Sequence, residues 1–136
     1  MQYFLAKTEP DTYSIDHFAK DKTAPWDGVR NPQAVKFLKQ MQKGDMVLIY
    51  HTGGEKSIVG LGKVAGNSRP DPKDERSWLV DFTFVKKFSP PFVTLQEIKQ
   101  IGRFHDFRLV RQSRLSVMPV PEDVIHWLKK EKALPL

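Results

Sequence analysis

Between Met46 and Phe88, three strand-length apolar runs follow one another with only turns and one polar loop between them. Met46 to His51 (MVLIYH) is almost wholly apolar. Ile58 to Ala65 follows across the Thr52-Gly53-Gly54 turn, a hairpin signal. Trp78 to Phe88 alternates, with Trp78, Val80, Phe82 and Phe84 on one face and Asp81 and Thr83 on the other. The loop between the second and third runs, Gly66 to Arg76, is polar and Pro-rich and reads as a surface excursion. Parallel neighbours need a long crossover, usually helical, and no helix separates these runs, so they are expected to pair antiparallel. Strands and helices therefore do not alternate along the chain, which predicts an α+β fold rather than α/β.

The flanking segments supply the helices. Tyr3 to Ala6 reads as a strand, followed by a turn at Thr8-Glu9-Pro10-Asp11. Ser14 caps a short helix whose Ile15, Phe18 and Ala19 share a face. Asn31 is an N-cap, Pro32 suits the first helical position, and Ala34, Phe37, Leu38 and Met41 form one apolar stripe ending at a Gly44 stop. Thr94 and Glu97 have capping-box spacing, with the helix ending near Gly102. Leu115 to Val120 is a late strand, and Glu122 to Lys130 a final helix burying Val124, Trp127 and Leu128. Edge strands from both ends of the chain would let the three middle strands curl into a small barrel. At 136 residues and 40% hydrophobic, residues 1–136 are expected to form a single domain.

Several chemistries find no support. The chain has no cysteine, which removes disulfides, thiolate metal sites and a thiol nucleophile. His17, His51, His105 and His126 show no metal-ligand spacing, and no metal or other cofactor is expected. Gly60-Leu61-Gly62-Lys63-Val64-Ala65 matches a loose dinucleotide fingerprint, but no helix opens within it. These glycines read as strand positions where something packs closely. There is no nucleophile elbow and no paired-carboxylate signature. No stretch is apolar enough to span a bilayer, and MQYFLAKTEPD has neither the basic nor the apolar region of a signal peptide. A cytoplasmic location, no membrane partner and a monomeric state are the expectations. The net charge of +6 favours a polyanionic partner, nucleic acid first.

Two stretches carry more chemistry than connections need. Pro25 to Ala34 (PWDGVRNPQA) places a tryptophan, an Asp-Gly turn, an arginine and an asparagine within ten residues. Each has a plain reading: Trp26 in the core, Arg30 paired with Asp27 or Glu9, Asn31 only capping its helix. Together they are the side chains that grip a flat heterocycle, by stacking on its face and hydrogen bonding at its edge. Leu109 to Val120 (LVRQSRLSVMPV) offers Arg111, Gln112, Ser113 and Arg114, which read equally well as a solvated loop or as a rim that touches phosphates.

The segments Ala6-Lys7-Thr8-Glu9-Pro10, Pro25-Trp26-Asp27-Gly28-Val29-Arg30-Asn31, Gly44 to His51 and Ser113-Arg114-Leu115-Ser116-Val117 occur in the order and spacing of the EVE domain, and the chain resembles that family over nearly its whole length. The resemblance implies a PUA-like fold, a small bent mixed β-barrel flanked by helices, similar to the YTH readers of methylated adenine. It further implies a reader of a modified base in DNA or RNA that holds a flipped base in an aromatic-lined pocket with a basic rim. Carried over residue by residue, the pocket would comprise Lys7, Trp26, Arg30, Asn31, Tyr50, His51, Ser113 and Leu115; Arg111 and Arg114, from their position in the basic polar stretch, are the expected phosphate rim. Trp26 would then matter more for affinity than for stability. The competing readings are an enzyme acting on a modified base or nucleotide, and a protein-interaction module with a small-molecule pocket.

Overall fold

A computed structural model describes residues 1–136. Its strands are β1 (Tyr3–Thr8), β2 (Thr23–Trp26), β3 (Met46–His51), β4 (Ser57–Val64), β5 (Arg69–Pro70), β6 (Trp78–Lys87), β7 (Val93–Thr94) and β8 (Val117–Pro119). Its helices are α1 (Ile15–Asp21), α2 (Pro32–Gln40), α3 (Leu95–Ile101), α4 (Arg108–Arg111) and α5 (Glu122–Lys130). The sheet runs β2-β6-β4-β3-β1-β8, with β5 on β6 and β7 on β4. It is a mixed sheet, curled into a half-barrel and flanked by helices, so the fold is α+β.

The three middle strands pair antiparallel as their spacing requires: β3 with β4 (Leu48 opposite Leu61) and β4 with β6 (Lys63 opposite Thr83). The N-terminal strand is not an edge. β1 lies parallel to β3, Leu5 opposite Leu48, and antiparallel to β8, Leu5 opposite Met118. Buried on both sides, it carries Phe4, Leu5 and Ala6 fully out of solvent. The edges are β8 and β2. Pro25 sits in β2, opposite Asp81 of β6, and an edge strand tolerates its missing N–H.

Local chemistry sets the helix starts. Ser14 closes a capping box on α1. Its Oγ accepts the His17 N–H at 3.2 Å, and its own N–H donates to His17 Nδ1 at 2.9 Å. Asn31 Oδ1 accepts the N–H groups of Gln33 and Ala34 at 2.9 and 3.1 Å, which starts α2. That helix ends at Gln40, earlier than the Gly44 stop, and Gly44 instead takes φ +96° in the turn before β3. Thr94 Oγ1 accepts the Glu97 N–H at 3.1 Å, but the Glu97 carboxylate binds Lys132 and does not complete a box. The Leu115–Val120 run shortens to the three residues of β8, whose backbone faces β1.

The helix α1 lies directly on β4. A Cβ at Gly60 would collide with Ile15 Cδ1 and sit 2.8 Å from the Lys86 carbonyl oxygen, and one at Gly62 would stand 3.1 Å from the Phe18 ring. The two glycines are the strand positions where something packs closely, and that something is α1.

Candidate functional site

A cleft of about 550 Å³ opens where the carboxyl end of β1 meets α1 and β2. Lys7 and Thr8 bring β1 to it. A turn from Glu9 to Tyr13 forms one wall, closed by the Thr12 and Tyr13 N–H groups donating to the Glu9 carbonyl at 3.0 and 2.8 Å. Thr8 Oγ1 donates to the Tyr13 carbonyl at 2.6 Å and ties that wall back to the strand. Asp21 closes the end of α1, and Thr23 to Asp27 form the opposite side.

The floor is aromatic. Trp26 is 8% exposed and lies against Phe82 with ring centroids 5.1 Å apart. It meets the edges of Phe18 and Tyr13 at 5.9 and 6.0 Å. Such edge-to-face pairs match the positive ring edge to the negative ring face. Four rings thus hold one another in fixed orientation, with Trp26 and Tyr13 bordering the cavity.

The polar lining is of mixed sign. Lys7 Nζ donates to the Ser113 carbonyl oxygen at 2.8 Å and stands 5.7 Å from the Tyr50 ring centroid. Burial holds the Lys7 ammonium below its ordinary pKa. The same cleft is lined by Glu9, Asp21 and Asp27. Tyr13 donates its hydroxyl to Asp21 Oδ2 at 2.8 Å. Burial, reinforced by that carboxylate, pushes the Tyr13 phenol well above its ordinary value, so it remains a neutral donor at physiological pH. The cleft therefore offers donors and acceptors together around an apolar floor.

The residues expected at the pocket divide. Lys7 and Trp26 line the cleft, and Ser113 reaches it through the carbonyl that takes the Lys7 ammonium. The other five are occupied elsewhere. Arg30 Nε pairs with Asp74 at 2.8 Å, across to the polar loop, rather than with Asp27 or Glu9. Asn31 spends its side-chain oxygen on the start of α2. Tyr50 and Leu115 are buried in the core at 3% and 2% exposure, and burial raises the Tyr50 phenol to about 12. His51 is also buried. Its Nε2 accepts the Ile15 N–H at 3.0 Å and its Nδ1 lies 3.2 Å from Glu55 Oε2, so the neutral ring carries its proton on Nδ1 and donates to the carboxylate. It fastens the start of α1 to β3.

Trp26, enclosed by Phe82, Phe18 and Tyr13, is scaffold as well as floor, so its loss is expected to touch stability whatever its role in binding. Arg111 and Arg114 are both exposed beside Ser113. Gln112, between them, turns inward and donates from Nε2 to Gln33 Oε1 at 2.8 Å.

Sequence reasoning missed the Glu9–Tyr13 wall and Asp21 as lining. The signal for the wall was present: Thr8-Glu9-Pro10-Asp11 is a turn at the carboxyl end of a buried strand, a common place for a ligand site.

Comparison with known proteins gives a consistent result. A family model described as EVE domain matches residues 2–131. Thymocyte nuclear protein 1 of Mus musculus is 30% identical over an alignment covering 89% of this chain and 69% of that protein. Among solved structures, Rpa0253 from Rhodopseudomonas palustris superposes with a TM-score of 0.89 at 32% identity, covering 100% of this chain and 96% of that one. Human THYN1 protein, solved in complex with 5-methylcytosine-containing DNA, superposes with a TM-score of 0.86 at 23% identity, covering both chains fully.

Proposed function

The chain belongs to the EVE domain family, and from that premise we propose that it reads a modified nucleobase in nucleic acid by taking a flipped base into the Trp26–Tyr13 cleft. The observation that carries this reading is the pairing of an aromatic floor with donors and acceptors at one cavity edge. A nucleobase is flat, apolar on its faces and hydrogen-bonding at its rim, so both halves of the lining have a counterpart on it. The cavity volume falls within the range of about 300–1,000 Å³ typical of small-ligand clefts. The DNA complex of human THYN1 supports the same class of ligand.

The charges divide the work. Lys7, with N–H donors left beyond its bond to Ser113, is available to carbonyl oxygens and ring nitrogens, and Glu9, Asp21 and Asp27 to amino groups, while the Tyr13 hydroxyl, already donating to Asp21, offers only its oxygen as an acceptor. Three carboxylates around the mouth disfavour a phosphate there, so the sugar–phosphate backbone stays outside, on the Arg111–Arg114 side. Flipping a base costs a few kcal/mol, least for an unpaired one, and stacking returns about 1–3 kcal/mol per base. The surplus must come from phosphate contacts, which makes the affinity salt-sensitive and the selectivity a property of the cleft.

The test is a binding screen of oligonucleotides with and without single modified bases, as DNA and RNA, single- and double-stranded. The expected result is a preference for one modification that is lost on Tyr13→Ala or Lys7→Ala. Equal affinity for every base, unchanged by either substitution, overturns the reading. Turnover of a modified oligonucleotide would replace it with the enzymatic alternative.

A further inference from the structure

Arg108 of α4 and its C-cap residue Gln112 reach Phe37 and Gln33 of α2, and a guanidinium is held there in a fixed pose. The Arg108 guanidinium carbon lies 5.2 Å from the Phe37 ring centroid. Its Nη1 donates to Gln112 Oε1 at 2.7 Å, and Gln112 is in turn braced by Gln33. A stack on one side and an amide at one edge remove most of the rotational freedom of a long side chain, while most of its N–H donors remain without a protein partner. A concavity of about 470 Å³ opens beside it, lined by Arg108, Arg111, Gln112 and Asp106.

The arginines here lack the partners found elsewhere. The molecule's ion pairs engage Arg30, His51, Arg69, Arg76, Lys87, Arg103 and Lys132, and Arg108, Arg111 and Arg114 are in none of them. Asp106 borders the concavity without pairing to either guanidinium, so two positive charges face one negative. A preformed, planar, unneutralised guanidinium is suited to phosphate oxygens.

We propose that Arg108 and Arg111 form a seat for a backbone phosphate of the strand whose base enters the cleft. This rests on the base-reading function above. The two places are joined by a short stretch of chain: Gln112 braces Arg108, and the next residue, Ser113, gives its carbonyl to Lys7 in the cleft. The cleft itself is lined by Glu9, Asp21 and Asp27, which disfavour a phosphate there, whereas Arg108 and Arg111 favour one. The sequence hid this because Arg108 lies outside the polar run that drew attention to Arg111 and Arg114.

The test uses the full chain and two single-stranded DNA probes, one with a single 5-methylcytosine and one without, bound across a salt series. Arg108→Ala and Arg111→Ala are each expected to weaken both probes by the same factor and to reduce the magnitude of the log K against log salt slope by about 0.7. The ratio between the probes should not move. Arg111 braces nothing, so its variant separates phosphate binding from disturbance of α4. Nitrogen NMR of the Arg108 side chain supplies the second readout, with a shift expected on adding oligonucleotide but not inorganic phosphate at equal ionic strength. Unchanged slopes in both variants overturn the seat and leave the cleft reading standing. A full shift with phosphate alone overturns it in favour of a free-anion site. A parent protein that binds neither probe at low salt overturns the seat on single-stranded DNA, and the base-reading function is then decided by the wider screen of modified DNA and RNA.

Discussion

The two flanks of the cleft differ in charge and in how they are held. On the Glu9–Asp27 side, carboxylates stand over a floor of four interlocked aromatic rings. On the Arg108–Arg114 side, three arginines lack acidic partners, and one of them, Arg108, stands on an amide pair and a phenyl face. A formal charge of +6 describes neither. The difference teaches that net charge reports an average over surfaces with opposite tasks. On the proposed reading, the acidic, rigid flank discriminates and the basic flank attracts without discriminating.

The most damaging change to that contrast is at the floor. Trp26→Ala is expected to cost about 3–5 kcal/mol of folding stability, as for other buried aromatics, and to abolish base discrimination in whatever protein remains folded. Trp26→Phe should recover much of both. Thermal melting alongside binding of modified and unmodified oligonucleotides would check this. A melting temperature unchanged in Trp26→Ala would mean that the rings do not brace one another.

A second change loosens only the discriminating flank. His51→Ala leaves the Ile15 N–H without its acceptor and should cost about 1–3 kcal/mol. Amide exchange is expected to accelerate at Ile15 and through the start of α1, but not in α4. Equal acceleration in both would show that the flanks are not independent.

Arg114→Ala addresses the other flank. Its exposed side chain joins no ion pair, so stability should stay within about 0.5 kcal/mol. Affinity should fall equally for every oligonucleotide, and the salt slope should shrink by roughly one charge. Any change in base preference would erase the division of labour.

The smallest effect concerns Tyr13. Burial is the first cause of its raised pKa and Asp21 the second, so Asp21→Asn should bring its ionisation part of the way back toward ordinary tyrosine. Ultraviolet difference titration would follow it. No movement would mean that the carboxylate does not act on the ring.

Legibility followed the range of the forces involved. The start of α2 was readable because Asn31, Pro32 and the apolar stripe act within a few residues of one another. The strand β2 was not. Thr23–Trp26 is four residues with a proline, and it is a strand only because β6 supplies the partner some sixty residues away. The single turn of α4 has no side-chain cap to announce it. Within the site, Lys7 and Trp26 were readable as candidates. Arg30 and His51 gave no local sign of the partners that engage them away from the cleft, Asp74 and the Ile15 backbone, because those lie far along the chain. A polar or aromatic residue in a suggestive stretch gives no local sign of whether its hydrogen bonds are already spent.

Gly60 and Gly62 fix a dimension. With no side chain rising from β4, α1 rests on the sheet with no clearance to spare, and the wall that carries Tyr13 and Asp21 hangs from α1. The aperture of the cleft is thus gauged by two hydrogen atoms on a strand that contributes nothing to its lining. A methyl group at Gly60 would act as a shim, lifting the helix and carrying the Tyr13 and Asp21 wall with it, so the gap would reset with no lining side chain replaced.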